Sequence, residues 1–263
     1  MKIPGSTVLL TGATGGIGQA ISRAMAARGA DLILTGRRGD QLAQLSAALG
    51  ARTIAADLSD RSDVDGLLEQ AGRVDILISN AALPASGSLA SFTAQEIDRA
   101  LEVNVRAPLI LANALTPAML ERGAGHLLFM SSLAGRAGST RTSIYNASKF
   151  ALRGFASGLR AELHGTGVGV SAVFPGFIRD AGMFADSGAT LPRGVRTRSP
   201  EDVARAVLDA IEHDRGEVDV APLSLRLGAV LGSLAPDTAA AISRRLGAED
   251  IGRAFEDGQR TKR

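Results

Sequence analysis

Seven short apolar runs alternate with longer amphipathic segments along this chain, and that alternation limits its fold more than any other feature. Thr7–Leu10, Leu32–Thr35, Thr53–Ala56, Val74–Ser79, Leu127–Met130, Val168–Phe174 and Val218–Ala221 read as strands. The segments between them read as helices: one from the Gly12–Gly18 turn to Arg28, then Asp40–Leu49, Ser62–Ala71, Ala94–Arg122, Ser143–His164 and Pro200–His213. Pro108 and Pro117 predict irregularities in the longest of them. Ser199 suits an N-cap, with Pro200 in the first helical position. Repeated strand–helix–strand units with apolar strands imply an α/β fold. Its doubly wound, seven-stranded parallel sheet carries helices on both faces.

The first strand runs directly into Thr11-Gly12-Ala13-Thr14-Gly15-Gly16-Ile17-Gly18. Glycines let a backbone turn tightly, and a helix N-terminus offers unpaired N–H groups and a positive dipole end. A Gly-rich turn alone could be structural. Its place between the first strand and first helix points to a pyrophosphate, and so to a Rossmann-type dinucleotide-binding unit. The second strand ends at Thr35-Gly36-Arg37-Arg38, where an acidic residue would select NAD. Two guanidinium groups there suit a phosphate, so NADP(H) is expected over NAD(H). The competing reading is a solvated arginine pair. Asp31 precedes the strand and sits at its wrong end.

The chain has one tyrosine, Tyr145, four residues before Lys149, one of three lysines with Lys2 and Lys262. Positions i and i+4 share a helix face. An ammonium near a phenol favours phenolate and lowers a pKa that starts near ~10, giving a proton donor and acceptor usable near neutrality. Two ordinary helix-surface residues are the alternative.

Composition removes other chemistries. There is no cysteine, hence no disulfide, thiolate metal site or Cys nucleophile. His126, His164 and His213 lack metal-ligand spacing, so no metal is expected. The formal net charge is +2 with arginines dispersed, and the basic Arg260-Thr261-Lys262-Arg263 reads as a frayed tail, so no nucleic-acid partner is expected. Thr11-Gly12 interrupts the first apolar run too early for a signal peptide, and no charge-free apolar stretch of 18 residues occurs. A cytoplasmic protein is expected.

Taken together, these motifs closely resemble the short-chain dehydrogenase/reductase family from about Thr7 to Ala221. They are the Thr11–Gly18 loop, Asp57-Leu58, Asn80-Ala81-Ala82, Asn104, Ser131-Ser132, Tyr145/Lys149 and Pro175-Gly176. The resemblance implies a carbonyl/alcohol oxidoreductase with Asn104, Ser132, Tyr145 and Lys149 as its catalytic set. Tyr145 would be the general acid and base, and Ser132, thirteen residues earlier, would polarise the carbonyl with Ser131 in support. Lys149 would bind ribose and lower the Tyr145 pKa, and Asn104 would hold a relay water at a helix irregularity. Gly12, Thr14, Gly15, Gly16, Ile17 and Gly18 would contact the cofactor, with Arg37 and Arg38. Asp57 and Leu58 would border the adenine. Asn80, Ala81, Pro175, Gly176 and Ile178 would lie along the cofactor, Asn80 also bracing the sheet. A homodimer or homotetramer is expected by analogy. A non-catalytic dinucleotide sensor or scaffold with the same fold is the alternative, and the complete catalytic set argues against it.

Two residues depart from the family pattern. Ala82 stands where Gly is usual, and Asp180 stands where Thr commonly helps hold the nicotinamide carboxamide. The segment 177–199 reads as a substrate lid, with Phe177, Ile178, Met183, Phe184 and Leu191 among Gly182, Gly188 and Gly194. Those apolar groups suit either a hydrophobic carbonyl substrate or the anchoring of the loop itself. Residues 1–222 read as one dinucleotide-binding and catalytic domain. Residues 223–263 read as a helical C-terminal extension packed on it, with helices over Leu223–Leu234 and Pro236–Leu246. The extension suits a cover over the substrate pocket or an oligomer contact better than a membrane-surface helix.

Overall fold

The structure is a computed structural model that describes residues 1–188, 191, 195–245 and 248–259. Gly194, Leu246 and the basic tail 260–263 lie outside the described residues. The strands are β1 (Thr7–Thr11), β2 (Asp31–Gly36), β3 (Arg52–Ala55), β4 (Ile76–Ser79), β5 (Gly125–Met130), β6 (Val168–Pro175) and β7 (Glu217–Val220). They form one parallel sheet in the order β3-β2-β1-β4-β5-β6-β7. The helices are α1 (Gly16–Ala27), α2 (Gly39–Leu49), α3 (Arg61–Ala71), α4 (Ala94–Leu101), α5 (Ala107–Arg122), α6 (Ser143–Glu162), α7 (Gly182–Ser187), α8 (Pro200–Glu212), α9 (Leu223–Leu234), α10 (Pro236–Arg245) and α11 (Ala248–Gln259).

Strand registry shows why both faces are apolar. Leu9, Ile33, Leu77, Leu127 and Val170 lie side by side across five strands and enter one core with α3, α5 and α6. One residue further along, Leu10, Leu34, Ile78 and Leu128 point the other way, into the core shared with α1, α2 and α8. Successive side chains of a strand face opposite sides, so a strand buried on both must be apolar throughout. The strand order reverses between β1 and β4. In open α/β sheets a ligand crevice forms at the carboxyl ends of such a pair.

The long helical segment differs from expectation. It breaks at a π turn, Glu102–Arg106, which contains Asn104. Pro108 sits in the first turn of α5, directly after the π turn, and α5 runs unbroken past Pro117 to Arg122. Burial of Leu111, Leu115 and Met119 holds this helix to the sheet despite the bond that Pro117 cannot make. Ser199 caps α8 in a reciprocal capping box with Asp202, Pro200 following as expected.

The extension adds two findings. In α9 the small residues Ala229 and Gly232 face the protein, and a side chain at Gly232 would strike Ala137 Cβ at 2.6 Å. Its large residues Leu223, Leu227, Val230, Leu231 and Leu234 are exposed. The third helix, α11, packs on α7 and was not foreseen from the sequence.

Candidate active site

Three of the four glycines of the loop occupy places closed to a side chain. Gly12 has φ +67°, and a Cβ there would lie 2.7 Å from Ala81 Cα. A Cβ on Gly18 would lie 2.2 Å from the Gly12 carbonyl oxygen, and one on Gly16 would lie 2.4 Å from Ala181 Cβ. Gly15 meets only the Gly12 carbonyl oxygen, at 3.5 Å. Asn80 ties the ends of β1 and β4 together. Its Nδ2 donates to the carbonyls of Thr11 (3.0 Å) and Gly12 (3.2 Å), while Thr11 Oγ1 accepts from the Asn80 and Ala81 amides, both at 3.0 Å. No side chain caps α1 and no acid stands in its first turn. Its dipole end is therefore free to meet an anion, and the loop fits a dinucleotide pyrophosphate.

At the tip of β2 the two arginines are used differently. Arg38 Nη2 donates to the Thr14 carbonyl (2.9 Å) and hydroxyl (3.2 Å), which braces the loop. Arg37 is half-exposed and lies 3.8 Å from Asp57, which is also 3.8 Å from Arg99. Partial burial pushes the Asp57 pKa up, but two Ser59 hydrogen bonds and both arginines outweigh it and hold the carboxyl below its usual range. Leu58 is buried in the core, which leaves Asp57 as the polar group there. Asp31 opens β2 at the opposite end of the strand.

The end of β5 carries the serines. Ser131 Oγ donates to the Lys149 carbonyl at 2.9 Å, anchoring α6. Ser132 Oγ donates to the Pro175 carbonyl (3.3 Å) and accepts from the Ala134 amide (3.1 Å), and its hydroxyl acts on the Tyr145 phenol in the direction that lowers its pKa. Lys149, 2% exposed, donates from Nζ to the Met130 carbonyl at 2.9 Å and lies 5.6 Å from the Tyr145 ring centroid. Asn104 is fully buried. Its Oδ1 accepts from the Leu83 amide (2.7 Å), and its Nδ2 donates to the Leu83 carbonyl (3.0 Å) and faces Ser148 Oγ at 3.5 Å. Ser148 in turn donates to the Tyr145 carbonyl at 2.8 Å, linking the π turn to α6. Behind Ser132, Gly176 leaves no slack: a Cβ there would lie 3.1 Å from Ala221 Cβ and 3.2 Å from Leu133 Cδ1. Ile178 is buried and bridges to Arg198.

One expectation needs correcting. Lys149 does not lower the Tyr145 pKa in this structure. Tyr145 is partly exposed as a residue, yet the protein packed around its phenol pushes it up to about 12 against a smaller lowering by Ser132. Burial also brings Lys149 down to about 8. The ammonium is spent on the Met130 carbonyl, so enclosure outweighs its charge. This has a direct spectroscopic consequence. Tyr145 is the sole tyrosine and the chain has no tryptophan. Phenolate absorbance of the whole free protein therefore reports this one group, and it is expected to titrate well above pH 10, towards about 12. A midpoint below 10 would mean that the Lys149 field dominates.

The departures are structurally quiet. Asp180 takes φ +66° and faces solvent, 3.4 Å from Arg179, while Ala82 is partly buried in the irregular segment after Asn80. The apolar lid residues serve as anchors: Phe177 and Phe184 pack on each other and on Phe255 of α11, and Ile178 joins the core. Sequence reasoning missed Ala181 and Gly182, which abut Gly16 and Ile17, and the Met130 carbonyl. Backbone groups and small residues carry no compositional signal. Among the described residues no cluster of three or more His, Cys, Asp or Glu is placed to hold a metal ion.

The family model for short chain dehydrogenases matches residues 6–191. A ketoacyl reductase, HetN, of Nostoc sp. is 35% identical over 95% of this chain and 92% of its own length. A short-chain dehydrogenase from Sphingobium yanoikuyae, solved in complex with NADPH, superposes with a TM-score of 0.75 at 29% identity, covering 89% of this chain and 95% of that one. A 3-ketoacyl-(acyl-carrier-protein) reductase from Brucella melitensis, solved with NADH, gives 0.74 at 28% identity over 83% of this chain and 97% of its own. With the glycine loop at the β1/β4 reversal and Ser132 beside Tyr145, these likenesses show that the chain belongs to the short-chain dehydrogenase/reductase family of NAD(P)-dependent oxidoreductases.

Proposed function

We propose that the protein is an NADP(H)-dependent enzyme interconverting a carbonyl and a secondary alcohol on an apolar small molecule, with ketoacyl-type chains as the substrate class. The observation that carries this reading is the convergence of Ser132, Tyr145 and Lys149: the Ser132 hydroxyl acts on the Tyr145 phenol, and the Lys149 ammonium lies 5.6 Å from the Tyr145 ring centroid. It lies at the same carboxyl end of the sheet as the glycine loop. When bound, NADP(H) would supply a hydride to the carbonyl carbon or take one from the alcohol. The chain's own groups manage the oxygen. Ser132 donates a hydrogen bond to it and stabilises its developing negative charge. Tyr145 gives it a proton in reduction and takes one back in oxidation. A phenol kept neutral by burial is already in the state that reduction needs. Lys149 binds the ribose hydroxyls. Both polar atoms of the Asn104 side chain bond Leu83, which fixes Asn104 in the π turn, where it would hold a relay water.

Cofactor choice rests on Arg37. Its pairing with Asp57 is long and half-exposed, and so costs little to break. A charge-assisted hydrogen bond to a 2′-phosphate contributes about 1.5–3 kcal/mol, roughly 10–100-fold in affinity. Arg37→Ala should therefore raise the KM for NADPH by at least about 10-fold while leaving NADH within a few-fold. Steady-state kinetics with both cofactors on a panel of medium- and long-chain ketones and their alcohols tests substrate class and cofactor together. Equal loss with both cofactors would refute the assignment of Arg37. No turnover of any ketone or alcohol would refute the reaction.

A further inference from the structure

The C-terminal helix α11 lies between two parts of the site that are far apart in sequence. On one flank it packs against α7. A Cβ on Gly258 would fall 2.2 Å from the Ser187 carbonyl oxygen, so the helices meet backbone to backbone. Gln259, 1% exposed, donates from Nε2 to the Met183 carbonyl at 3.0 Å. The Phe255 ring sits 5.9 Å from Phe184 and 6.3 Å from Phe177. The N-terminal end of α7 leans on the phosphate loop: Ala181 closes the space above Gly16, and Gly182 lies against Ile17.

The second flank of α11 holds the segment leading into the catalytic helix. Glu256 pairs with Arg141, and Glu249 lies 3.4 Å from the same guanidinium. A Cβ on Gly252 would meet Arg141 and Thr140 side-chain atoms at 3.3 Å. Arg141 takes φ +56°, unusual for a side-chain-bearing residue, and its carbonyl accepts from the Gly87 amide at 2.6 Å. Four residues later comes Tyr145. Positions 249, 252 and 256 form one stripe of α11 and positions 252, 255 and 259 the next, so one helix addresses both neighbours.

We propose that α11 is a latch: Phe255, Gln259 and Glu256 are positioning residues that hold α7 over the phosphate loop and tie it to the entrance of the catalytic helix. The proposal rests on reading the glycine loop as the cofactor site and Tyr145 as the proton donor. It makes retention of the dinucleotide depend on a helix that reaches the phosphate loop through α7. Holding α7 down slows cofactor release, and it acts on binding more than on proton transfer.

The test is Phe255→Ala in the full-length chain, with Phe255→Leu as the conservative control and Glu256→Gln as a milder second variant. Amide hydrogen exchange of residues 181–187 and steady-state kinetics are measured on all three. Phe255→Ala should speed exchange in that segment about 10-fold or more and raise the KM for NADPH by a similar factor. Its kcat at saturating NADPH should stay within about 3-fold, because no reacting group has moved. Phe255→Leu should restore most of both, and Glu256→Gln should shift them in the same direction by less. Should Phe255→Ala fold poorly, Glu256→Gln decides alone. Unchanged exchange in 181–187 in a folded variant overturns the latch, as does loss confined to kcat. If the wild-type protein fails to bind NADPH, the cofactor assignment fails, while the exchange of 181–187 still reports on the latch.

Discussion

Tyr145→Phe should lower kcat by about 10²–10⁴-fold in both directions while NADPH still binds, since positioned proton transfer contributes about that much. The substitution removes one hydroxyl and little else. Tyr145 packs against the small cluster of Ala85, Ala100 and Ile144, and a phenylalanine ring fills the same space. Melting temperature and cofactor fluorescence should therefore match the wild type. The Ser132 hydroxyl keeps its bonds to Pro175 and Ala134, so its orientation survives. Undiminished turnover in this variant would remove Tyr145 from the mechanism. Loss of NADPH binding would instead make the hydroxyl part of the cofactor site.

Lys149→Met should produce two opposite effects. Turnover should fall by about 10²-fold or more, because a buried cation aimed at the site acts where little solvent screens it. Stability at pH 7 should rise by about 1–2 kcal/mol, because a buried ammonium with one hydrogen bond costs more in lost hydration than the bond returns. The pH dependence follows from the lowered pKa. Lys149 titrates near 8 in the folded protein and at 10.5 when unfolded. Between those values the unfolded chain binds more protons, so the wild type gains stability as pH rises from about 8 to 10.5. The advantage of Lys149→Met should be full below pH 8 and shrink across that window. Melting curves at pH 7 and pH 10 check both points. A variant less stable than the wild type at pH 7, with no change in the difference at pH 10, would show that Lys149 is not penalised by burial.

Much of the site was legible before any coordinates, for a local reason. Strand ends are marked where apolar runs stop, at Thr11, Ser79-Asn80 and Met130-Ser131, and those are the places where this fold presents side chains to a ligand. Ser199, Asp202 and Pro200 mark a helix start by chemistry confined to four residues. The irregularity at Asn104 was expected from family likeness and lies just before Pro108, one of the two prolines expected to disturb this segment. Pro117 is tolerated because burial around it outweighs one lost bond, which no local rule shows.

The C-terminal helix was illegible for the opposite reason. Gly252 and Gly258 read as weak points in a helix, yet each is where another segment comes closest. The partners that settle its place are remote: Arg141 is 115 residues from Glu256, and Met183 is 76 from Gln259.

The sequence by itself determined the parallel sheet, its connections and which chemical groups stand at the strand ends, because apolar periodicity and turn residues act over a few positions. Only the tertiary structure decided that Arg38 braces the loop while Arg37 stays accessible, and that Lys149 bonds a main-chain carbonyl. It alone showed enclosure raising the Tyr145 pKa where charge spacing had implied lowering, and α11 packing on α7 and Arg141 from a distant part of the chain. Burial and long-range pairing depend on which residues become neighbours in space, and one-dimensional spacing does not contain that information.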